Sequence, residues 1–147
     1  MTTDLWKWAS DDRGSYSLET AVLVPVIFAV LGLLIAFGRV TTTSGAVDSA
    51  AREAARAASL DRDPGTAQRD AQQAAQDSLS GDGVPCTNIS VSVDTSDFDL
   101  PLGQTGTVVA TVTCTARLSD IGLPGLPGTK TLTSDFRSPI DAYRART

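Results

Sequence analysis

The sequence predicts an α+β protein: a long amino-terminal transmembrane helix that continues into an amphipathic helix, packed on a small antiparallel sheet of about three strands. Three observations predict it. From Thr20 to Gly38 the chain runs for 19 residues without a charge, about 28 Å as an α-helix and close to the hydrocarbon thickness of a bilayer. From Val47 onward alanines recur at intervals of three and four residues, the spacing of one helix face. After Cys86 the apolar period falls to two, as in half-buried strands.

The uncharged stretch reads as a membrane helix rather than a core helix. A soluble helix of this length carries a polar stripe, and here only Thr20 is distinctly polar. Glu19 stands at its mouth, either a solvated carboxylate at the membrane edge or one seated for pairing. Pro25 lies inside the stretch, removes one backbone hydrogen bond and predicts a kink. Gly32 and Ala36 have the small-x-x-x-small spacing that permits close helix approach, a spacing that also arises by chance. The preceding MTTDLWKWASDDRG has no period and reads as a flexible tail, with Trp6 and Trp8 either at the interface or simply adherent. A secretory signal peptide is the competing description, with Ser44-Gly45-Ala46 as cleavage site and Val47 as new terminus. The apolar stretch is longer than such peptides use, and Arg39 interrupts the approach.

Composition excludes several functions. The chain has 17 acidic against 12 basic residues and no basic run after the apolar stretch, so nothing offers a surface to nucleic acid. With no histidine and two cysteines, it has no recognisable zinc or iron-sulfur ligand set and no Ser-His-Asp or Cys-His arrangement. We therefore expect no enzyme, catalytic residue, metal, cofactor or small-molecule substrate. About a hundred residues follow the apolar stretch, enough for one small domain.

Beyond Arg39 the helix is expected to continue, weakest at Thr41 to Gly45. Val47, Ala50, Ala51, Ala54, Ala58 and, loosely, Leu60 form a thin apolar seam. Asp48, Arg52, Glu53 and Arg56 occupy the other faces, solvated. Pro64 and Gly65 end that helix, and Thr66 caps a second one with Ala67, Ala71, Ala74 or Ala75, and Leu79 on one face. Its glutamine-rich remainder reads as solvated, and Gly81 to Pro85 closes it.

Two strands follow. Ile89, Val91 and Val93 alternate with polar residues, as do Val108, Ala110, Val112, Cys114, Ala116 and Leu118. A third strand is expected at Thr129 to Phe136, after the loop IGLPGLPG. Phe98 and Leu100, in the connection between the first two strands, either fold back as a lid or stand exposed. Pro139 is expected to break the third strand, and Ile140 and Tyr143 to dock as a helical turn.

If the two alternating sets share one face, paired residue numbers in the hairpin sum to an odd value. Cys86 and Cys114 then cannot be direct partners without a bulge, which places Cys86 just before the strand. Two cysteines in a domain this small fit a disulfide formed outside the reducing cytoplasm, the alternative being two free thiols. The flanking charges, Lys7 and Arg13 against Arg39, Arg52 and Arg56, do not decide orientation. The disulfide does, placing the amino end inside and the domain outside.

Gly14 followed by SYSLE, with Glu19 fifth after the glycine and an apolar helix next, resembles the processing signal of type IV pilins and pseudopilins. Together with AVDSAAREAARAASL at 46 to 60 and SPIDAYR at 138 to 144, it resembles the TadE family, minor pseudopilins of tight-adherence (Tad, Flp-type) pilus assembly. The resemblance implies a pilin-like fold and cleavage between Gly14 and Ser15 by a membrane-embedded prepilin peptidase on the cytoplasmic side. It implies that Glu19 pairs with the new amino terminus of a neighbouring subunit, since an ammonium offsets the cost of a carboxylate in hydrocarbon. The implied partners are the membrane, the peptidase and other pilin or pseudopilin subunits. Thr20 departs from the tyrosine that major Flp pilins place after the glutamate, and the domain is far longer than a major pilin's tail. Both imply a minor subunit.

The organisation expected is thus a cytoplasmic leader at 1–14, a transmembrane helix at 15–39, an alanine-rich helical region at 40–80 broken near 61–65, a β region at 81–137 and a tail at 138–147. An uncleaved membrane-anchored scaffold and a secreted binding domain are the alternatives.

Overall fold

The computed structural model describes residues 13–120 and 127–143, with side chains from Glu19 onward. The tail with Trp6 and Trp8, most of the IGLPGLPG loop and the last four residues lie outside the described residues. Helix α1 is Arg13–Leu60, helix α2 is Pro64–Gly81, and the strands are β1 (Cys86–Asp94), β2 (Gly106–Arg117) and β3 (Thr129–Ile140). A 3-10 turn, Ser96–Asp99, lies between β1 and β2. The chain divides into two units, one ending at Ile35 and the other, the head, starting at Ala36.

In the head, α1 is unbroken through the TTTS run that the sequence marks as weakest. Each hydroxyl there bonds back to a carbonyl of the preceding turn: Thr41 to Gly38 at 2.8 Å, Thr42 to Arg39 at 2.9 Å, Thr43 to Arg39 at 2.9 Å and Ser44 to Val40 at 3.1 Å. Those bonds occupy side chains that would otherwise compete for the helix backbone. The alanine seam is buried as expected at Val47, Ala50, Ala51, Ala54 and Ala58, and Ala55 joins it. Leu60 does not: it is 83 % exposed, because it stands two positions after buried Ala58 and so on the opposite side of the helix from the seam.

Pro64 does not merely end α1; it begins α2. Asp63 is the cap, with Pro64 in the first turn, where a missing N–H costs nothing. Its Oδ2 accepts the Thr66 N–H at 2.8 Å, so Thr66 is the capped residue and not the cap. That backbone bond, seconded by the Thr66 hydroxyl, holds the Asp63 carboxyl below its ordinary value. Of the alanine pair left open by the sequence, Ala75 is buried, along with Ala67, Ala71 and Leu79. The bond from the Ser96 N–H lowers Asp94 in the same way at the end of β1.

The sheet is antiparallel in the order β1-β2-β3. Ile89 faces Cys114, Val91 faces Val112 and Val93 faces Ala110, an odd-sum register as the alternation predicts. The register then shifts between Cys86 and Asn88, so Cys86 pairs with Ala116. Cys86 is therefore the first residue of β1 and not a linker residue before it. The bulge at Thr87 reverses parity and turns Cys86 onto the buried face, diagonal to Cys114. The disulfide between them is formed, with Cα atoms 5.5 Å apart.

β3 runs four residues past Phe136, through Pro139. Pro139 lies opposite Thr107, whose N–H points away from β3 and donates to Asp97 Oδ2 at 2.8 Å. The pair is thus one whose backbone groups face outward, and the proline nitrogen meets the free edge of the sheet, where no ladder bond is lost. Ile140 is buried as the end of that strand, whereas Tyr143 is 82 % exposed. The tail is held by its backbone instead, with the Gly103 N–H donating to the Ala142 carbonyl at 3.0 Å.

Both helices lie on one face of the sheet, and their alanines share a single core with Val108, Ala110, Val112, Cys114 and Ala116. Phe98 folds into that core, while Leu100 is half-buried. At the β3 side, the Arg52 guanidinium lies 5.6 Å from the centre of the Phe136 ring, and Ser138 donates to Ser59 at 3.1 Å. At the β1 side, Gln68 is not solvated. Its Nε2 donates to the Val91 carbonyl at 2.8 Å and its Oε1 accepts the Val93 N–H at 3.0 Å. One side-chain amide thus pairs with two backbone groups of the strand edge as another strand would, occupying the edge at Val91 and Val93.

Candidate assembly helix

The sequence-predicted site residues fall on the two units. Gly14 and Ser15 lie in the first turn of α1, Glu19 follows about one turn further, and Pro25 is within the helix, which continues through it. Their spacing along one helix is what the structure adds; the side chains of Gly14 and Ser15 lie outside the described ones. Glu19 is exposed, and so is every residue from Thr20 to Ile35. Between Val22 and Ile35 the large apolar side chains are 43 to 69 % exposed, far from the burial of a core helix. Gly32 has open space around it, and Ala36 is buried.

Such a surface is unstable in water on its own. At about 25 cal/mol per Å², the apolar side chains of Val22 to Ile35 gain several kcal/mol by entering hydrocarbon or by packing against other helices. A bilayer or other apolar helices can each satisfy it.

The second element is the disulfide, remote from Glu19 in sequence and confined to the head. It matters because the head's core is built from small residues: its largest fully buried side chains are Leu79, Val47, Val108, Val112 and Cys114. A cross-link of sequence separation 28 adds about 3.6 kcal/mol by the chain-entropy relation, large for such a core. Gln68 is the residue that sequence reasoning missed. Its only signal was a glutamine one position after Ala67, on the border of the buried face. Among the described residues, no three side chains of metal-ligating type come together.

Among the described residues one helix, near the amino terminus and leading into an α+β head, is long and apolar enough to cross a membrane by length and composition. Residues 14–56 match the family model of the TadE-like proteins. The match begins at Gly14 and takes in Glu19, Pro25 and the alanine seam as far as Arg56. It covers less than a third of the chain and excludes the sheet, the disulfide and the segment at 138 to 144. It supports a Tad pilus-associated protein. No curated protein and no solved structure matches the chain.

Proposed function

We propose that this protein is a minor pseudopilin, inserted by α1, cleaved between Gly14 and Ser15 by a prepilin peptidase, and added to the base or tip of a Tad-type pilus. The observation that carries the reading is the family match starting at Gly14 on a helix whose apolar side chains are exposed on every side. Such a family is structural rather than enzymatic, and the helix surface suits protein packing rather than chemistry.

In this mechanism the amino terminus is cytoplasmic and the head extracytoplasmic, where an oxidising environment forms the Cys86–Cys114 bridge. Cleavage exposes the amino group of Ser15. Glu19, about one helical turn away, sits at the depth where the amino group of a neighbouring subunit can pair with it, fixing the axial register of the two helices. Pro25 bends the helix and eases its packing among others. The helix continues unbroken through Ala46 and Val47, both buried in the head, which favours an anchored head over one released at Val47.

Replacement of Glu19 tests this role. Glu19→Ala is expected to leave membrane insertion intact, since it removes a charge from the edge of an apolar span, and to abolish incorporation into filaments. Membrane fractionation and shear recovery of pili report the two steps separately. Wild-type recovery of pili containing the variant would refute the pairing role.

A further inference from the structure

A cleft of about 560 Å³ opens in the head, lined by Arg39, Thr42, Thr43 and Ser49 of α1, by Asp82 after α2 and by Asp120 after β2. That volume is in the range of small-molecule sites, about 300–1,000 Å³. Asp120 is occupied by Arg117, 3.2 Å away. Thr42 and Thr43 give their hydroxyls to helix carbonyls. Arg39 and Asp82 share the cleft without pairing with each other, and among the described residues neither side chain has another partner.

A guanidinium and a carboxylate that line one cleft and do not close on each other suit a ligand that carries both charges at a distance. An oxyanion such as a phosphodiester suits the guanidinium, and an ammonium suits the carboxylate. The depth of the cleft selects the source. Arg39 is the first charge after the 19 uncharged residues ending at Gly38, so with that span in hydrocarbon it stands at the level of the headgroups. Lipid headgroups are concentrated there and dissolved zwitterions are not. An anionic lipid without an amine is disfavoured by Asp82 on the cleft wall.

We propose that this cleft binds the headgroup of an aminophospholipid, its phosphodiester on Arg39 and its ammonium on Asp82, with the Ser49 hydroxyl available to the phosphodiester. The proposal rests on the membrane-spanning reading of α1 and not on cleavage or assembly. A bound lipid would hold the head against the bilayer surface.

The test uses the full chain in bilayer nanodiscs of equimolar phosphatidylethanolamine and phosphatidylglycerol, with retained lipid read by native mass spectrometry. The groups are exposed, so the expected preference for phosphatidylethanolamine is modest, about threefold. Asp82→Asn and Arg39→Gln should each abolish that preference while membrane fractionation and disulfide formation stay unchanged. Equal retention of the two lipids by the wild type, or an unchanged preference in both variants, would overturn the proposal. Saturable binding of water-soluble phosphoethanolamine to detergent-solubilised protein at the same affinity would overturn the lipid assignment. A wild-type chain absent from the membrane fraction would remove the premise and the proposal with it.

Discussion

Gln68 offers a direct test of how the head is held together. Its side-chain amide makes two bonds to β1, 2.8 Å to the Val91 carbonyl and 3.0 Å from the Val93 N–H. Gln68→Ala removes both and leaves the strand edge to water. A neutral hydrogen bond contributes about 1 kcal/mol net, and because the site is only half-buried, the two together should be worth about 1–2 kcal/mol. The readout is amide exchange at Val93, whose N–H donates to Gln68 Oε1. Exchange there should accelerate about tenfold in the variant, beyond any change at Thr113, a central-strand residue. Gln68→Glu sharpens the test. Its carboxylate still accepts from Val93 but opposes the Val91 carbonyl, so the folded state favours the protonated acid and raises its pKa. Stability should then be reduced above that raised pKa and recovered as pH falls through it. Unchanged Val93 exchange in Gln68→Ala would refute the edge-pairing role.

Replacing Cys86 and Cys114 together by serine should destabilise the head by about 2–4 kcal/mol in denaturant titrations, and reductant should lower the wild type toward the variant while leaving the variant unchanged. Ala54→Leu forces a larger side chain into a fully buried seam position and should cost about 1–3 kcal/mol by the same titration. Asp63 caps α2 with a carboxyl whose pKa is lowered in the folded state, so its contribution is full above the ordinary value of 3.8 and is lost as pH falls through the lowered one. Asp63→Asn should flatten that acid limb in thermal melts at a series of pH values, and Asp63→Ala should lower stability at neutral pH as well.

Much of this fold was legible because its signals are periodic. The uncharged run, the alanine seam and the alternation after Cys86 each constrain one face, and the alternation alone sets an odd-sum register that the sheet adopts. What periodicity does not carry was misread. The bulge at Thr87 moves Cys86 into β1 and onto the buried face, and a bulge of one residue leaves no mark on a pattern of period two. Pro139 reads as a strand breaker until β3 is known to be an edge with its proline nitrogen turned outward. Pro64 reads as a stop, yet the same ring starts the next helix once Asp63 caps it. Gln68 was assigned to solvent because its partner is a backbone edge 23 and 25 residues away, which no local pattern reports. In α1, Gly14 and Glu19 are marked out by resemblance alone, while the absence of a polar stripe from Thr20 to Gly38 already makes the helix apolar on all sides.

The claim that α1 is a processed pilin-type helix is tested most directly by the mass and amino-terminal sequence of the protein after coexpression with a prepilin peptidase. The account predicts a chain that begins at Ser15, shorter by its 14-residue leader, and an uncut chain when Gly14 is replaced by alanine or the peptidase is inactive. A full-length protein in the membrane fraction despite active peptidase would contradict it and leave an anchored scaffold. A chain beginning at Val47 would contradict it in favour of a secreted domain.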